Sequence, residues 1–400
     1  MFSKSTILTI LSKFMILFVN FTLVLFTTRT WGTEGRGEIA LVFSNITILT
    51  ILGYIFCGST ISYHSRKYPA DFLLFISFTG SLIISAAGSL VFSVIFGTGY
   101  FWILFPISFV MSLATAISSY WLGRKDILLY NLINLFGPVL IMVSLLILFF
   151  VLHRTGVNTY YYAYFSGTFM VLAAGIFILI LKEPFRIPVI NTADVKSVLG
   201  YGISNELNHF ILYLNSRLPY YFITAILGLG KLGIYSIIIS ISEAVWIISN
   251  SLSVILFSNV INSDDVLKSR RDTITFAKQS MAISALLILA GILIPDNVYL
   301  LIFGEEFTGI RKYLLFMAPG IVAVATTNLF SRYFGAIGKL KILRNESILG
   351  LAVSVILLPL LVKKFQLTGA CISMNLSYLA TAIYLWIVFR KESRQLTVDI

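Results

Sequence analysis

Residues Val198 to Ser236 read VLGYGISNELNHFILYLNSRLPYYFITAILGLGKLGIYS. At about 1.5 Å per residue a helix of this length crosses a bilayer, yet it carries Glu206, His209 and Arg217. At about 100° per residue, Asn205, Glu206, His209, Tyr213, Ser216 and Arg217 share an arc of about 120°, while Ile203, Leu207, Phe210, Ile211, Leu214 and Leu218 share another of about 100°. One face suits hydrocarbon; the other needs water, protein or an anion. Ionisable groups at membrane depth cost about 3 kcal/mol each on insertion scales, so they face a bundle interior or a wet cavity. Two uses stay open at this point: a polar cavity, or polar contacts between packed helices.

The chain around this stretch is more apolar still. Its 400 residues are 58% hydrophobic and 12% charged, with a mean hydropathy of +0.94, against about 25% charged in soluble domains. Near-continuous apolar runs predict twelve spanning helices, at approximately 7–28, 39–62, 72–96, 100–121, 127–152, 160–181, 198–227, 233–258, 275–295, 313–335, 346–362 and 368–389. The expected fold is an all-α polytopic membrane protein in two pseudo-symmetric six-helix lobes. Residues 1–181 form the first lobe, 182–197 a cytoplasmic linker broken by Pro184 and Pro188, 198–389 the second lobe and 390–400 a cytoplasmic tail. The longest connections are about 15 residues, which leaves no room for an extramembrane catalytic domain, and the chain reads as a non-enzyme. Cys57 and Cys371 lie far apart inside apolar runs, in no disulfide or metal-ligand spacing.

A net charge of +12 points to nucleic acid in a soluble protein, but here its placement sets orientation and no nucleic-acid partner is expected. With both termini cytoplasmic, the inner segments, from Lys4 onward, carry 17 Lys and Arg against 8 in the outer loops. That imbalance predicts a multi-pass protein of a plasma membrane with Lys67, Arg124 and Arg344 inside.

An internal repeat supports two lobes. Gly32 and Gly37 of WGTEGRGEIAL recur as Gly228 and Gly233 of GLGKLGIYS at an offset of 196, and GRKDIL from Gly123 echoes GKLKIL from Gly338. Six helices per lobe is an even number, so the lobes share one orientation, a transporter arrangement. At the same offset His209 and Ser216 correspond to Lys13 and Asn20 of the first helix. Thr6, Lys13, Asn20 and Thr27 are spaced by seven and drift about 20° per step, forming one polar stripe. The lead helix of each lobe is thus polar on one face, which points to a shared cavity.

Lys13, Asn20, His209 and Arg217 are the candidate substrate-binding residues, and Glu206 and Glu243 the candidate ion-coupling residues. Arg217 lies too deep to snorkel with ease; it either meets an anionic head group or pairs with Glu243 of the eighth helix. Glu206, His209 and Glu243 are groups that carry a proton or, for the carboxylates, coordinate sodium; plain hydrogen bonding is their other use. No cofactor is called for beyond coupling to H+ or Na+, and no metal motif occurs. The Tyr and Trp residues suit an aromatic belt, and the sequence gives no support for a sugar-stacking role. Walker, HExxH and GxSxG strings are absent.

The loop WGTEGRGEIAL, the turn LGLGKLGIYSIIISISEAVW and the segment LLIFGEEFTGIRKYLLFMAPGIVAV from Leu300 resemble the Wzx-type polysaccharide flippases of O-antigen and capsule synthesis, in the multidrug/oligosaccharidyl-lipid/polysaccharide exporter superfamily. The resemblance spans essentially the whole chain. It implies two lobes that rock about a cationic cavity and move an undecaprenyl-pyrophosphate-linked oligosaccharide across the bacterial inner membrane. Lys13 and Arg217 are the positions that suit such a cavity. Implied partners are the lipid-linked substrate, membrane lipids, and the polysaccharide polymerase and chain-length proteins that act on its product. A membrane-embedded polymerase or ligase, and a multidrug exporter of the same superfamily, are the alternatives.

Orientation is testable by introducing single cysteines and labelling intact cells with an impermeant maleimide. Labelling is expected at positions 36 and 231 and not at 124 or 344; the reverse pattern contradicts the charge reading.

Overall fold

The computed structural model describes residues 4–184, 191–263 and 265–398, with side chains placed for 12–184, 191–263 and 265–392. Pro188, the side chains of Lys4 and Thr6, and those of most of the tail lie outside the described residues. Every regular element among the described residues is helical: α1 Lys4–Gly53, α2 Gly58–His64, α3 Ala70–Phe96, α4 Gly99–Gly123, α5 Ile127–Leu146 with a π-helical extension Ile147–Val151, α6 Asn158–Lys182, α7 Thr192–Leu227, α8 Leu229–Ile261, α9 Val266–Leu293, α10 Asp296–Phe303, α11 Ile310–Ala336 and α12 Leu340–Val398. Nine of them are long and apolar enough to cross a membrane. α1 breaks at Gly32 and α12 at Gln366, so each of these two holds two helices, and the 36-residue α7 is not among the nine. The protein is a polytopic all-helical membrane protein.

Two predicted outer loops turn out to be sharp reversals. Gly32 adopts φ 62° and ψ −161°, a region open essentially to glycine, and helix resumes at once. The amide of Thr33 donates to Glu306 Oε2 at 2.8 Å and its hydroxyl to the same oxygen at 3.0 Å, so a carboxylate caps the new helix start. A Cβ on Gly32 would lie 2.5 Å from that oxygen. The glutamate of FGEEF therefore holds the glycine turn of WGTEG, two segments 273 residues apart. In α12 the reversal at Gln366, φ 52°, brings a hypothetical Cβ of Gly369 within 1.9 Å of the Leu361 carbonyl oxygen, and Ser377 donates to the Gly350 carbonyl at 2.8 Å.

Packing divides the chain into two compact units, one of Met1–Trp31 with Val42–Phe210 and one of Gly32–Leu41 with Ile211–Ile400. In the first, α4 packs against α2, α3, α5 and α6; in the second, α11 packs against α8, α9 and α12. The first unit's core gathers Cys57, Ile61, Leu73, Tyr120 and Leu179, the second's Leu256, Leu329, Phe334 and Phe389. Small polar residues share the interior with these apolar cores, and many other large apolar side chains face outward. Ser77, Ser81, Ser85 and Ser89, four apart along α3, are all buried, while Val94 on the same helix is 87% exposed. Lipid tails give no hydrophobic drive between helices, so close approach and buried hydroxyls hold them together.

The repeat has a structural counterpart within the second unit. Gly228 repeats the Gly32 conformation, with φ 86° and ψ 173°. A Cβ on Gly37 would lie 2.0 Å from the Leu229 carbonyl oxygen, and one on Gly233 2.0 Å from the Thr33 carbonyl oxygen. A shift of 196 turns Gly37 into Gly233 and Thr33 into Leu229, so the contact maps onto itself. It has the self-complementary form of an isologous interface. The second echo differs. The helix-ending bonds run from Asp126 N to Trp121 O and from Lys339 N to Phe334 O, which makes Lys125 and Gly338 the left-handed residues, 213 apart instead of the 215 read from the glycines.

Overpacking a close contact costs about 1–3 kcal/mol. Gly37→Ala and Gly233→Ala are each expected to lower the thermal midpoint of the detergent-purified protein, and by similar amounts. Gly230→Ala, whose nearest neighbour would be at 3.5 Å, is expected to leave it unchanged. Size-exclusion chromatography after heating measures all three.

Candidate functional site

The first unit contributes the first part of α7. A Cβ on Gly202 would fall 2.0 Å from the Ile55 carbonyl oxygen, so α7 lies directly against the turns where α1 unwinds before α2. One helical turn further along α7 the same closeness brings Glu206 to Ser59. Ser59 Oγ donates to Glu206 Oε1 at 2.7 Å, and Asn205 Nδ2 reaches both Glu206 Oε1 and Ser59 Oγ at 2.8 Å. Glu206 is 6% exposed, and no cation stands within ion-pair distance of it among the described residues. It is a carboxylate held by neutral donors alone.

Lys13 and Asn20, seven residues apart on α1, are exposed and make no hydrogen bond or ion pair with described residues. The predicted stripe changes character further along: Thr27 is fully buried, its hydroxyl on the Val24 carbonyl at 2.9 Å. His209 is exposed and stands apart from the Glu206 cluster, with no hydrogen bond to a described residue.

The second unit holds the rest of α7. Arg217 Nη2 donates to Glu243 Oε1 at 2.7 Å and Nη1 to the Tyr220 hydroxyl at 2.8 Å. Its guanidinium lies 5.0 Å from the Tyr220 ring centroid and 5.5 Å from that of Tyr213. The pairing with the eighth helix read as one alternative is therefore made. It is lopsided, with the Arg217 side chain 18% exposed and that of Glu243 50%. The carboxylate that neutralises Arg217 can be displaced by another anion. Buried Asn215 anchors this part of α7 to α12, accepting from Ser354 Oγ at 2.6 Å and donating to Ser377 Oγ at 3.3 Å.

Three polar residues escape a reading of local pattern. Ser59 and Asn215 are ordinary in sequence, and their importance comes from partners more than 130 residues away. Glu346, buried and accepting from Ser331 Oγ at 2.9 Å, sits beside Arg344 where a span was expected only to begin. Among the described residues no group of three His, Cys, Asp or Glu side chains could hold a metal.

No protein-family model and no curated protein sequence matches the chain. Solved structures do. An inward-facing multidrug resistance MATE family transporter of the MOP superfamily superimposes with a TM-score of 0.75 at 15% identity, over 96% of this chain and 95% of that one. The lipid II flippase MurJ, in an inward closed conformation, gives 0.69 at 14% identity, over 96% and 87%. A MATE protein in a bent conformation gives 0.68 at 16% identity, over 100% and 99%. The fold is that of MATE transporters and MurJ. At such low identity the likeness fixes the fold and leaves the cargo to the side chains.

The Arg217 pair is open to a double-mutant cycle on the purified protein. With one partner half exposed, the Arg217→Ala and Glu243→Ala changes are expected to couple by about 1 kcal/mol, nearer the exposed range than the 3–5 kcal/mol lost on breaking a buried pair. Additive thermal shifts contradict the pairing.

Proposed function

We propose that the chain is a flippase that moves an undecaprenyl-pyrophosphate-linked oligosaccharide across a bacterial inner membrane by alternating access of two lobes. The observation that carries this reading is Lys13, an exposed cation on the lead helix with no carboxylate opposite it among the described residues. A pyrophosphate and its sugars cannot cross hydrocarbon unaided; they need a polar path with a cation, while the lipid tail stays in the bilayer. Arg217, with a displaceable partner and two phenol rings, is the second anion ligand, and Asn20 and His209 extend the polar path. The fold shared with a lipid II flippase is compatible with a cargo of this kind. Glu206 and Glu243 are the ion-coupling residues in this scheme, for H+ or Na+. The product would pass to a polymerase and chain-length proteins outside.

A multidrug exporter is the second reading. The MATE likeness and the absence of a cation partner for Glu206 among the described residues favour it, because a carboxylate outside an ion pair suits cationic drugs.

Deleting the gene in its own bacterium separates the two. The flippase reading expects loss of the surface glycan, accumulation of lipid-linked repeat units inside and unchanged ethidium susceptibility. Restoration by plasmid should fail for Lys13→Ala and be partial for Lys13→Arg at equal membrane levels. Intact surface glycan with raised ethidium susceptibility overturns it in favour of the exporter.

A further inference from the structure

A cavity of about 640 Å³ opens within the first unit, between the end of α1, α2, α4, α5 and α7, and Ser59, the residue that donates to Glu206, is one of its walls. Tyr54, Tyr63, Tyr130, Tyr201, Ser62 and Asn134 are among its walls. Its volume is within the range of about 300–1,000 Å³ usual for small-ligand sites. Among the described residues no ionised side chain lines it. Glu206 stands behind Ser59 with Oε1 already accepting two hydrogen bonds.

The rings are fixed in place. Tyr63 and Tyr201 stack with centroids 4.3 Å apart and planes 10° from parallel, and Tyr201 meets His64 edge-on at 5.5 Å. His64 is itself buried, with Nδ1 at 2.9 Å from the Thr60 carbonyl. The hydrogen-bonding groups are unspent. The hydroxyls of Tyr63, Tyr130 and Tyr201 have no partner among the described residues. Asn134 commits one N–H to the Tyr130 carbonyl at 2.7 Å, which leaves its amide oxygen and its other N–H. Ser62 donates to the Ser119 carbonyl at 2.8 Å and can still accept.

The geometry points to a binding site for a neutral saccharide. Hydroxyls that both donate and accept, a carboxamide and a fixed aromatic face complement a sugar ring, whose hydroxyls do the same and whose C–H face packs on an aromatic ring. Among the described walls an organic cation meets no counter-charge and a phosphate no cation, and a lipid tail meets too many polar groups. The inference rests on the flippase reading for the source of the sugar, and it assigns the glycan end of the cargo to this cavity of the first unit.

Saturation-transfer NMR on the full-length protein in nanodiscs tests it, with maltotriose, N,N′-diacetylchitobiose and ethidium as probes. Transfer to at least one saccharide is expected, weakened about tenfold by Tyr201→Ala and by Asn134→Ala, and largely kept by Tyr201→Phe, which retains the ring face and serves as the folding control. Ethidium should not compete. No transfer to either saccharide, transfer indifferent to Tyr201→Ala and Asn134→Ala, or displacement by ethidium each overturns the site. The two readings fail separately. Saccharide bound at these residues with normal surface glycan in the deletion strain removes the flippase; glycan lost on deletion with no saccharide transfer removes the pocket.

Discussion

Close approach of helix backbones at glycine is the constraint on which the rest of the structure depends. Water gives helices a reason to associate, and lipid does not, so contact must come from packing and from hydrogen bonds that hydrocarbon cannot supply. Gly37 and Gly233 let α1 and α8 touch backbone to backbone, and Gly369 does the same within α12. Gly202 brings α7 against the break after α1, and that closeness is what places Glu206 on Ser59. The turn at Gly32 is held by a distant carboxylate, Glu306, which no apolar packing could replace.

Along α7 the two ionisable groups meet opposite environments. Glu206 is buried among neutral donors, and Arg217 is neutralised by a carboxylate that is half open to solvent. In the proposed scheme the first is the ion-coupling group and the second meets the phosphate, because a charge locked in a fully buried pair could not change partners as access alternates.

Much of the fold was legible because membrane spans are long and apolar. The spans and the 196-residue offset follow from hydropathy and two glycine pairs; in the structure Gly32 and Gly228 share an unusual backbone conformation, and Gly37 and Gly233 share a close backbone contact. The loops were less legible. The reversals at Gly32 and Gln366 replace expected loops, since a single left-handed residue turns a helix without a polar segment to announce it. α9 starts at Val266, earlier than hydropathy indicates, and carries Arg270 as a buried structural cation on the Phe389 carbonyl. The candidate site was half legible. Helical periodicity placed Glu206, His209 and Arg217 on one face, but their separate fates depend on Ser59 and Glu243, partners chosen by tertiary contact. His209 shares the face and not the cluster.

Flipping by the purified chain in sealed vesicles tests the account most directly. An undecaprenyl-pyrophosphate disaccharide with a fluorescent sugar is placed in both leaflets, and the fraction that an impermeant quencher reaches is followed after a pH or sodium gradient is imposed. The account predicts that the protected fraction becomes accessible far faster than in protein-free vesicles, while ethidium stays where it was. Ethidium movement down the same gradient, with the lipid-linked sugar flipping no faster than in protein-free vesicles, would contradict it.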